Sequence, residues 1–356
     1  MKIIKSCFYS LPICLQRFLH QMKNRWAVSN GRLTGELERV LPMIISKYNV
    51  EPTAGNVDAL RKDMTDSYVN GLTKPLEYFL FDFVNKNKKN RREYLTDIEK
   101  DMYCNKYAGN RQFETLMDKW AFYSVMKPYY RREAMLLDSG TPSSSFLEFA
   151  QRHIKFIAKP NKGSFGMNTS IISVSDANDA QRVYDSLMNS KCHSWIIEEL
   201  IVQTEDMSAF NPDSVNSVRI PTYRCNGKIE IFGCFMRTGR KGSVVDNAGV
   251  GGIFMKVDDD SGIICSDGFT EKGEQYEIHP DSKLRFKGFK IQRWNELKEL
   301  AMKCHEELPQ HKYVGWDFVL TDSGWVLMEG NWGQYLCQQV SGGKPLKSRF
   351  IHLIKN

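Results

Sequence analysis

The chain of 356 residues predicts an α+β fold, with a helical N-terminal part before a mixed strand-and-helix part. Three observations carry this. From residue 36 to 130, apolar residues recur at the three-to-four spacing of a helix. After a turn-rich joint at 138–145, the pattern changes to short β-branched and aromatic runs punctuated by glycine. Near the far end, Tyr313 to Gly333 reads as a β-hairpin with two acids on one face.

Taken in order, the first 35 residues hold Lys2, Lys5, Arg17, Lys23, Arg25 and Arg32 and no acid. Pro12, Gln16 and Arg17 interrupt the apolar region, which does not suit a signal peptide. The segment reads as a first helix packing on its own domain; its basic amphipathic pattern also suits peripheral contact with an anionic membrane surface. Helical stretches follow at 36–48, 56–70, 74–85, 95–107 and from Met117 through Tyr130. The joint at 138–145 divides a helical domain, 1–140, from a second domain, 141–356. In the latter, Phe146 to His153 is a short helix, Lys155 to Lys159 a strand, and Thr169 to Val174 another. Between the strands lies Pro160-Asn-Lys-Gly-Ser-Phe-Gly166, where backbone N–H groups can approach phosphate oxygens closely. A helix capped by Ser175 or Asp176 leads to Trp195–Val202, a buried strand carrying Glu198 and Glu199, whose carboxylates need partners.

In the hairpin, Asp322-Ser323-Gly324 reads as a three-residue loop, which pairs Thr321 with Trp325, Val319 with Leu327 and Asp317 with Glu329. Alternation puts Asn331 beside Glu329 and turns Trp316, Phe318, Leu320, Val326 and Met328 to the core. Two facing carboxylates repel unless a cation lies between them. Three oxygen donors without His or Cys suit Mg²⁺ or Mn²⁺. The register predicts two ions, with Glu329 touching both, Asp317 one and Asn331 the other. Further along, Arg293 to Leu308 is a helix with Trp294, Leu297, Ala301, Cys304 and Leu308 in a core stripe. His305 and His311 read as surface or core histidines, and Asp258 to Gly262 as a solvated turn.

Composition excludes several classes. With 42% hydrophobic and 26% charged residues the chain is globular and long enough for two or three cored domains. A net charge of +7 with no basic–aromatic repeat argues against nucleic acid as partner. The 9 cysteines lie singly, without zinc spacing, which predicts reduced thiols in a cytoplasmic protein. No apolar run approaches the roughly 18 residues of a membrane span.

The order strand, glycine loop, strand, helix, acid-bearing strand and acidic hairpin resembles the ATP-grasp fold over about residues 117 to 333. The resemblance implies ATP as cofactor. FIAKPNKGSFGMN resembles the phosphate-covering loop, with Lys159 as its lysine and Gly163, Ser164 and Gly166 over the phosphates. Lys119 in MDK resembles the lysine given by the preceding domain. IIEELI resembles the adenine hinge: Glu198 and Glu199 near the base, backbone at Leu200 and Ile201, then Glu205 on the ribose. GWDFVL and LMEGN resemble the metal hairpin. The nucleotide lid would be about 146–202 and the metal and substrate subdomain about 203–356.

Asn216-Ser-Val-Arg219, Cys234-Phe-Met-Arg237 and Val245-Asp-Asn247-Ala-Gly-Val-Gly251-Gly252 are similar to the sugar-transfer-associated group of this superfamily. That likeness implies Arg219 and Arg237 along the triphosphate, and Asn216, Asn247, Gly251 and Gly252 near the acceptor. One departure stands out: Gly315 sits two residues before Asp317, where many relatives place arginine. The implied activity is ATP-dependent joining of a carboxylate to an amine, small or glycan-linked, in polysaccharide biosynthesis. The alternatives are a kinase acting on a hydroxyl and a nucleotide-sensing scaffold. The sequence is silent on oligomeric state.

Overall fold

The computed structural model describes residues 8–108, 115–163, 168–332 and 335–356. The N-terminal part is helical: α1 (Ile13–Ser29), α2 (Thr34–Tyr48), α3 (Ala54–Gly71), α4 (Pro75–Leu80), α5 (Lys88–Arg91) and α6 (Asp97–Tyr107). Leu37, Val40, Leu41 and Ile44 form one face of α2 and meet Met64 of α3 and Tyr78 and Phe79 of α4 in a common core. Thr53 and Thr96 start α3 and α6 by accepting hydrogen bonds from Asn56 N and Glu99 N.

Helix α7 (Lys119–Tyr130), capped by Asp118, leads into the first sheet. This is built from β1 (Ala134–Asp138), β2 (Lys155–Pro160), β3 (Ser170–Ser173) and β4 (Ser194–Glu199), all antiparallel in the order β1-β4-β2-β3. Helices α8 (Ser143–Arg152) and α9 (Ala177–Met188) cover one face, where Phe146, Phe149 and Ala180 pack on Phe156, Ala158 and Ile197. Asp176, not Ser175, caps α9, accepting from Asp179 N at 2.8 Å. The joint at 138–145 therefore lies inside this unit: β1, within the segment 1–140 that the sequence assigns to the helical domain, pairs residue for residue with β4.

The second sheet follows α10 (Glu205–Ser208). It contains β5 (Val218–Cys225), β6 (Lys228–Ile231), β7 (Phe235–Thr238), β8 (Ile253–Lys256), β9 (Gly268–Phe269) and β10 (Gln275–Tyr276). After α11 (Trp294–Glu306) come the hairpin strands β11 (Tyr313–Thr321) and β12 (Gly324–Asn331). The order is β10-β9-β8-β7-β5-β11-β12, with β6 on β5. The α11 stripe of Trp294, Leu297, Ala301 and Cys304 is buried against Val314, Trp316, Phe318 and Leu320, as its spacing predicts. The turn at Asp258–Gly262 departs from expectation: the Asp259 carboxylate is not simply solvated but accepts from Gly233 N and Cys234 N.

Helices α12 (Leu336–Gly342) and α13 (Lys347–Lys355) return to the N-terminal part. Gln339 Nε2 donates to Leu95 O, and Leu95 N donates to Gln339 Oε1, both at 2.9 Å across 244 residues. The buried Glu99 carboxylate joins Arg17 of α1 to Lys347 of α13.

His305 is buried, and its bonds fix its tautomer. Nε2 lies 2.7 Å from His311 O, which can only accept, so Nε2 carries the proton and Nδ1 accepts from Thr222 Oγ1, also at 2.7 Å. Thr222 Oγ1 takes the Trp316 Nε1–H at 2.6 Å, which locks α11, β5 and β11 together. Burial first, and nearby cations after it, lower the imidazole to about 4. The unfolded chain therefore binds a proton that the native state refuses. Stability should be full above the ordinary histidine value of ~6.5 and fall by up to about 3 kcal/mol as pH drops towards 4. Urea unfolding across that window is the measurement, and His305→Gln should make the slope shallower by the contribution of one proton.

Candidate active site

Strands β11 and β12 pair Gly315 with Asn331, Trp316 with Gly330 and Asp317 with Glu329, so the two acids do face each other. The turn end is different. Thr321 pairs with Gly324, Leu320 with Trp325 and Phe318 with Leu327, which leaves a two-residue loop, Asp322-Ser323. The register shifts between Asp317 and Phe318, and Met328 is the extra residue of a β-bulge. Loop and bulge cancel at Asp317 but not between. Trp325 and Leu327 enter the core, whereas Val326 lies opposite Val319 and Met328 is half-buried.

A guanidinium holds the bulge. Arg132 Nη1 donates to Leu327 O at 2.6 Å, and Nη2 reaches Met328 O at 3.4 Å. The same group binds Glu198 Oε2 through Nε at 3.0 Å and Nη2 at 2.6 Å. Glu198 sits on the face of β4 opposite Trp195 and Ile197, beside Lys159 of β2, whose Nζ lies 3.2 Å from both carboxylate oxygens. Burial would raise the Glu198 carboxyl, but Lys159 and Arg132 prevail and hold it below the usual range. The carboxylate of Glu198, a residue expected beside the base, is held by two cations in the protein alone.

Lys119 lies close to the same charges. Its Nζ donates to Pro160 O and Gly163 O, both at 2.9 Å. Burial lowers its ammonium, with Glu329 and Glu198 opposing and Lys159 reinforcing. Asn161 fastens the loop to the start of α7, its O and Oδ1 accepting from Lys119 N and Trp120 N. Gly163 has φ +135 and open space around it; Ser164 and Gly166 lie outside the described residues.

On the other side, Arg219 and Arg237 are buried and both bind Asp317. Arg219 donates Nε to Oδ1 and Nη2 to Oδ2, the latter at 2.6 Å, and Arg237 Nη2 reaches Oδ2 at 2.8 Å. Both residues, expected along the triphosphate, neutralise the Asp317 carboxylate in the protein alone. Burial alone would raise that carboxyl; the two guanidiniums bring it down to about 2. The departure at Gly315 is explained here too. Arg219 is the cross-strand partner of Asp317, and a Cβ on Gly315 would sit 3.2 Å from Arg219 Cδ. The arginine comes from the neighbouring strand across a glycine that makes room for it.

Asn331 Nδ2 donates to Asp317 Oδ2 at 3.0 Å and Glu329 Oε1 at 2.8 Å, leaving its amide oxygen for other use. Glu329 is the acid the protein leaves unmatched. Burial and then Asp317 raise its carboxyl, and Lys159 and Arg219 offset this only partly. A divalent cation would keep Glu329 ionised, and all three residues offer oxygen, so the donor set fits a hard cation. The sharing expected for two ions would require Asp317 to release an oxygen now held by arginine.

The remaining expected residues are scattered. Glu199 accepts from Glu133 N at 3.1 Å. Leu200 and Ile201 are half-buried and lie beyond the last registered pair of β4, and Glu205 is exposed at the start of α10. Asn216 is fully buried, so its expected acceptor role is corrected. Its Nδ2 donates to Met207 O and Asn211 O, and its Oδ1 accepts from Thr238 Oγ1. Asn247 caps a turn at Gly249 N. Gly251 has φ +99, and a Cβ on Gly252 would meet Asp246 O at 2.2 Å. Reading the sequence missed Arg132 and Asp246, whose Oδ2 accepts from Ser217 N and Oγ beside Arg237. The signals were slight: Arg131-Arg132-Glu133 after α7, and the acid next to Asn247.

A family model described as sugar-transfer associated ATP-grasp matches residues 99–355. The chain belongs to this family. Solved ATP-grasp structures resemble it at low identity. D-alanyl-alanine synthetase A from Vibrio cholerae O1 biovar eltor is 11% identical, with TM-score 0.43, covering 70% of this chain and 66% of that one. D-alanine–D-alanine ligase from Bacillus anthracis is 14% identical, with TM-score 0.39 and the same coverage. A RimK domain protein from Sphaerobacter thermophilus is 13% identical, with TM-score 0.38, covering 68% of this chain and 66% of that one. The chain thus spans just under two thirds of their lengths. No curated protein matched. In this ATP-grasp chain the first sheet brings Lys159 and the second the acidic hairpin, and Arg132 joins them.

Glu329→Gln removes one of two facing charges. It should stabilise the ligand-free protein by about 0.2–1 kcal/mol and remove the thermal shift produced by Mg·ATP. Wild-type stabilisation of that variant by Mg·ATP would overturn the assignment of Glu329 as a metal ligand.

Proposed function

We propose that this ATP-grasp protein is an ATP-dependent carboxylate–amine ligase that works through an acyl phosphate, on an acid or amine of glycan assembly. The observation that carries the reading is the opposition of Lys159 and Lys119 to the Asp317–Glu329–Asn331 face, cations from one sheet against acids from the other. When bound, a divalent cation would neutralise charge between the hairpin acids and the β- and γ-phosphates. The chain's own residues do the rest. Lys159 and Lys119 attract the phosphates, and the backbone of the 160–163 loop lies against them. Arg219 and Arg237 keep Asp317 ionised whatever the substrate's protonation. The carboxylate oxygen attacks the γ-phosphorus, ADP leaves, and the amine then displaces phosphate from the acyl carbon, losing its proton to solvent or to a nearby base. Positioning and charge carry such a transfer, so no protein nucleophile is required.

The reactive side chains agree. Burial pushes the thiols of Cys104 and Cys337 up to about 12 and raises Cys234 and Cys304 as well, so none of the four is a ready thiolate. His279 and His305 are buried, shifted down and bound to backbone carbonyls.

Lys159→Ala should lower kcat/KM for ATP by about a hundredfold and leave the fold intact, because Arg132 still neutralises Glu198. The reaction class is tested by incubating enzyme, Mg·ATP and candidate amino acids or uronic acids with and without hydroxylamine. A hydroxamate formed together with matching free phosphate supports ligation. ADP release with phosphate retained on a sugar hydroxyl would replace the ligase with a kinase.

A further inference from the structure

Helix α1 is built inside out. Its buried residues are Gln16 and Asn24. Gln16 Nε2 donates to Tyr9 O and Leu11 O in the segment just before the helix, and Asn24 Nδ2 donates to Tyr68 O, which ties α1 to α3. The outward face carries Leu15, Phe18, Leu19, Met22 and Trp26, exposed by 40, 52, 37, 50 and 50%. Spacings of three and four put all five on one stripe, the reverse of a helix meant to face water.

Charge frames that stripe with one sign. Lys23, Arg25 and Arg32 are exposed, the Arg32 guanidinium lies 4.3 Å over the Trp26 ring, and no acid occurs before Glu36. On the other side of α1, Arg17 and Gln21 face the body, where Arg17 pairs with Glu99 and both donate to Asn70 O. A second copy of the chain is a poor occupant, because the outward face would bring cation against cation. No helix among the described residues is long and apolar enough to cross a membrane.

We propose that this face rests on an anionic phospholipid bilayer. The α1 stripe enters the headgroup layer, and the exposed Lys23, Arg25 and Arg32 beside it meet lipid phosphates. The contact does not depend on the reaction performed at the hairpin, and its test does not use activity. Full-length protein is sedimented with vesicles of phosphatidylcholine alone and of phosphatidylcholine mixed with phosphatidylglycerol, at low and high salt. Binding should appear with the anionic vesicles and fall as salt rises. The triple variant Phe18→Ser, Met22→Ser, Trp26→Ser should keep its unfolding temperature and lose more than about tenfold in partitioning. Arg25→Ala should lose about fivefold, on anionic vesicles only. Wild-type protein remaining in the supernatant with both vesicles overturns the proposal. So does a triple variant that still binds, or a wild-type dimer that the triple variant dissociates, which would make the stripe a subunit interface.

Discussion

The negative charge of Glu198, buried between Arg132 and Lys159, is the constraint on which the site depends. A carboxylate in that position is tolerable because cations meet it, since a buried charge left without any partner costs about 3–5 kcal/mol. Arg132 also reaches past Glu198 to the carbonyls of Leu327 and Met328 in the other sheet. One ion pair therefore fixes the lysine of the first sheet, the bulge of the hairpin and the spacing between them.

The second charge system obeys the same logic with the signs reversed. Asp317 has two guanidiniums, Arg237 has Asp246 and Ser217 behind it, and among the described residues Glu329 accepts from the Asn331 amide and forms no ion pair. The protein spends its positive charge on one acid and leaves the other to an external partner. That asymmetry within three residues separates a ligand-binding acid pair from a structural one.

Much of this was legible from residue order. Helical spacing gave the α11 core stripe, whereas the three-residue loop read at 322–324 placed Asp317 opposite Glu329 only because the bulge at Met328 offsets the shorter turn. What escaped was tertiary. A count by twos cannot register a bulge, because the bulge is stabilised by an arginine some 195 residues away. It cannot show that Arg219 meets Asp317, because that follows from β5 lying beside β11. Asn216 looked like an acceptor residue because it stands beside a conspicuous arginine motif; burial gave it other partners. The expectation of a solvated turn at Asp258–Gly262 failed for the same reason, since two backbone N–H groups far earlier in the chain claim Asp259.

The ties between the two ends of the chain bear on how the protein is made. Glu99 is desolvated between Arg17 and Lys347, and Gln339 completes the backbone of Leu95, contacts separated by 248 and 244 residues. During synthesis the helices α1 to α6 leave the ribosome first, yet their buried acid has only one of its two cations until nearly the whole polypeptide has emerged. The helical part then waits, incompletely closed, for the final two helices to dock, and loop-closure entropy makes that docking slow. A cell making this protein holds a population of nascent chains whose first-made part is sealed by the last-made one.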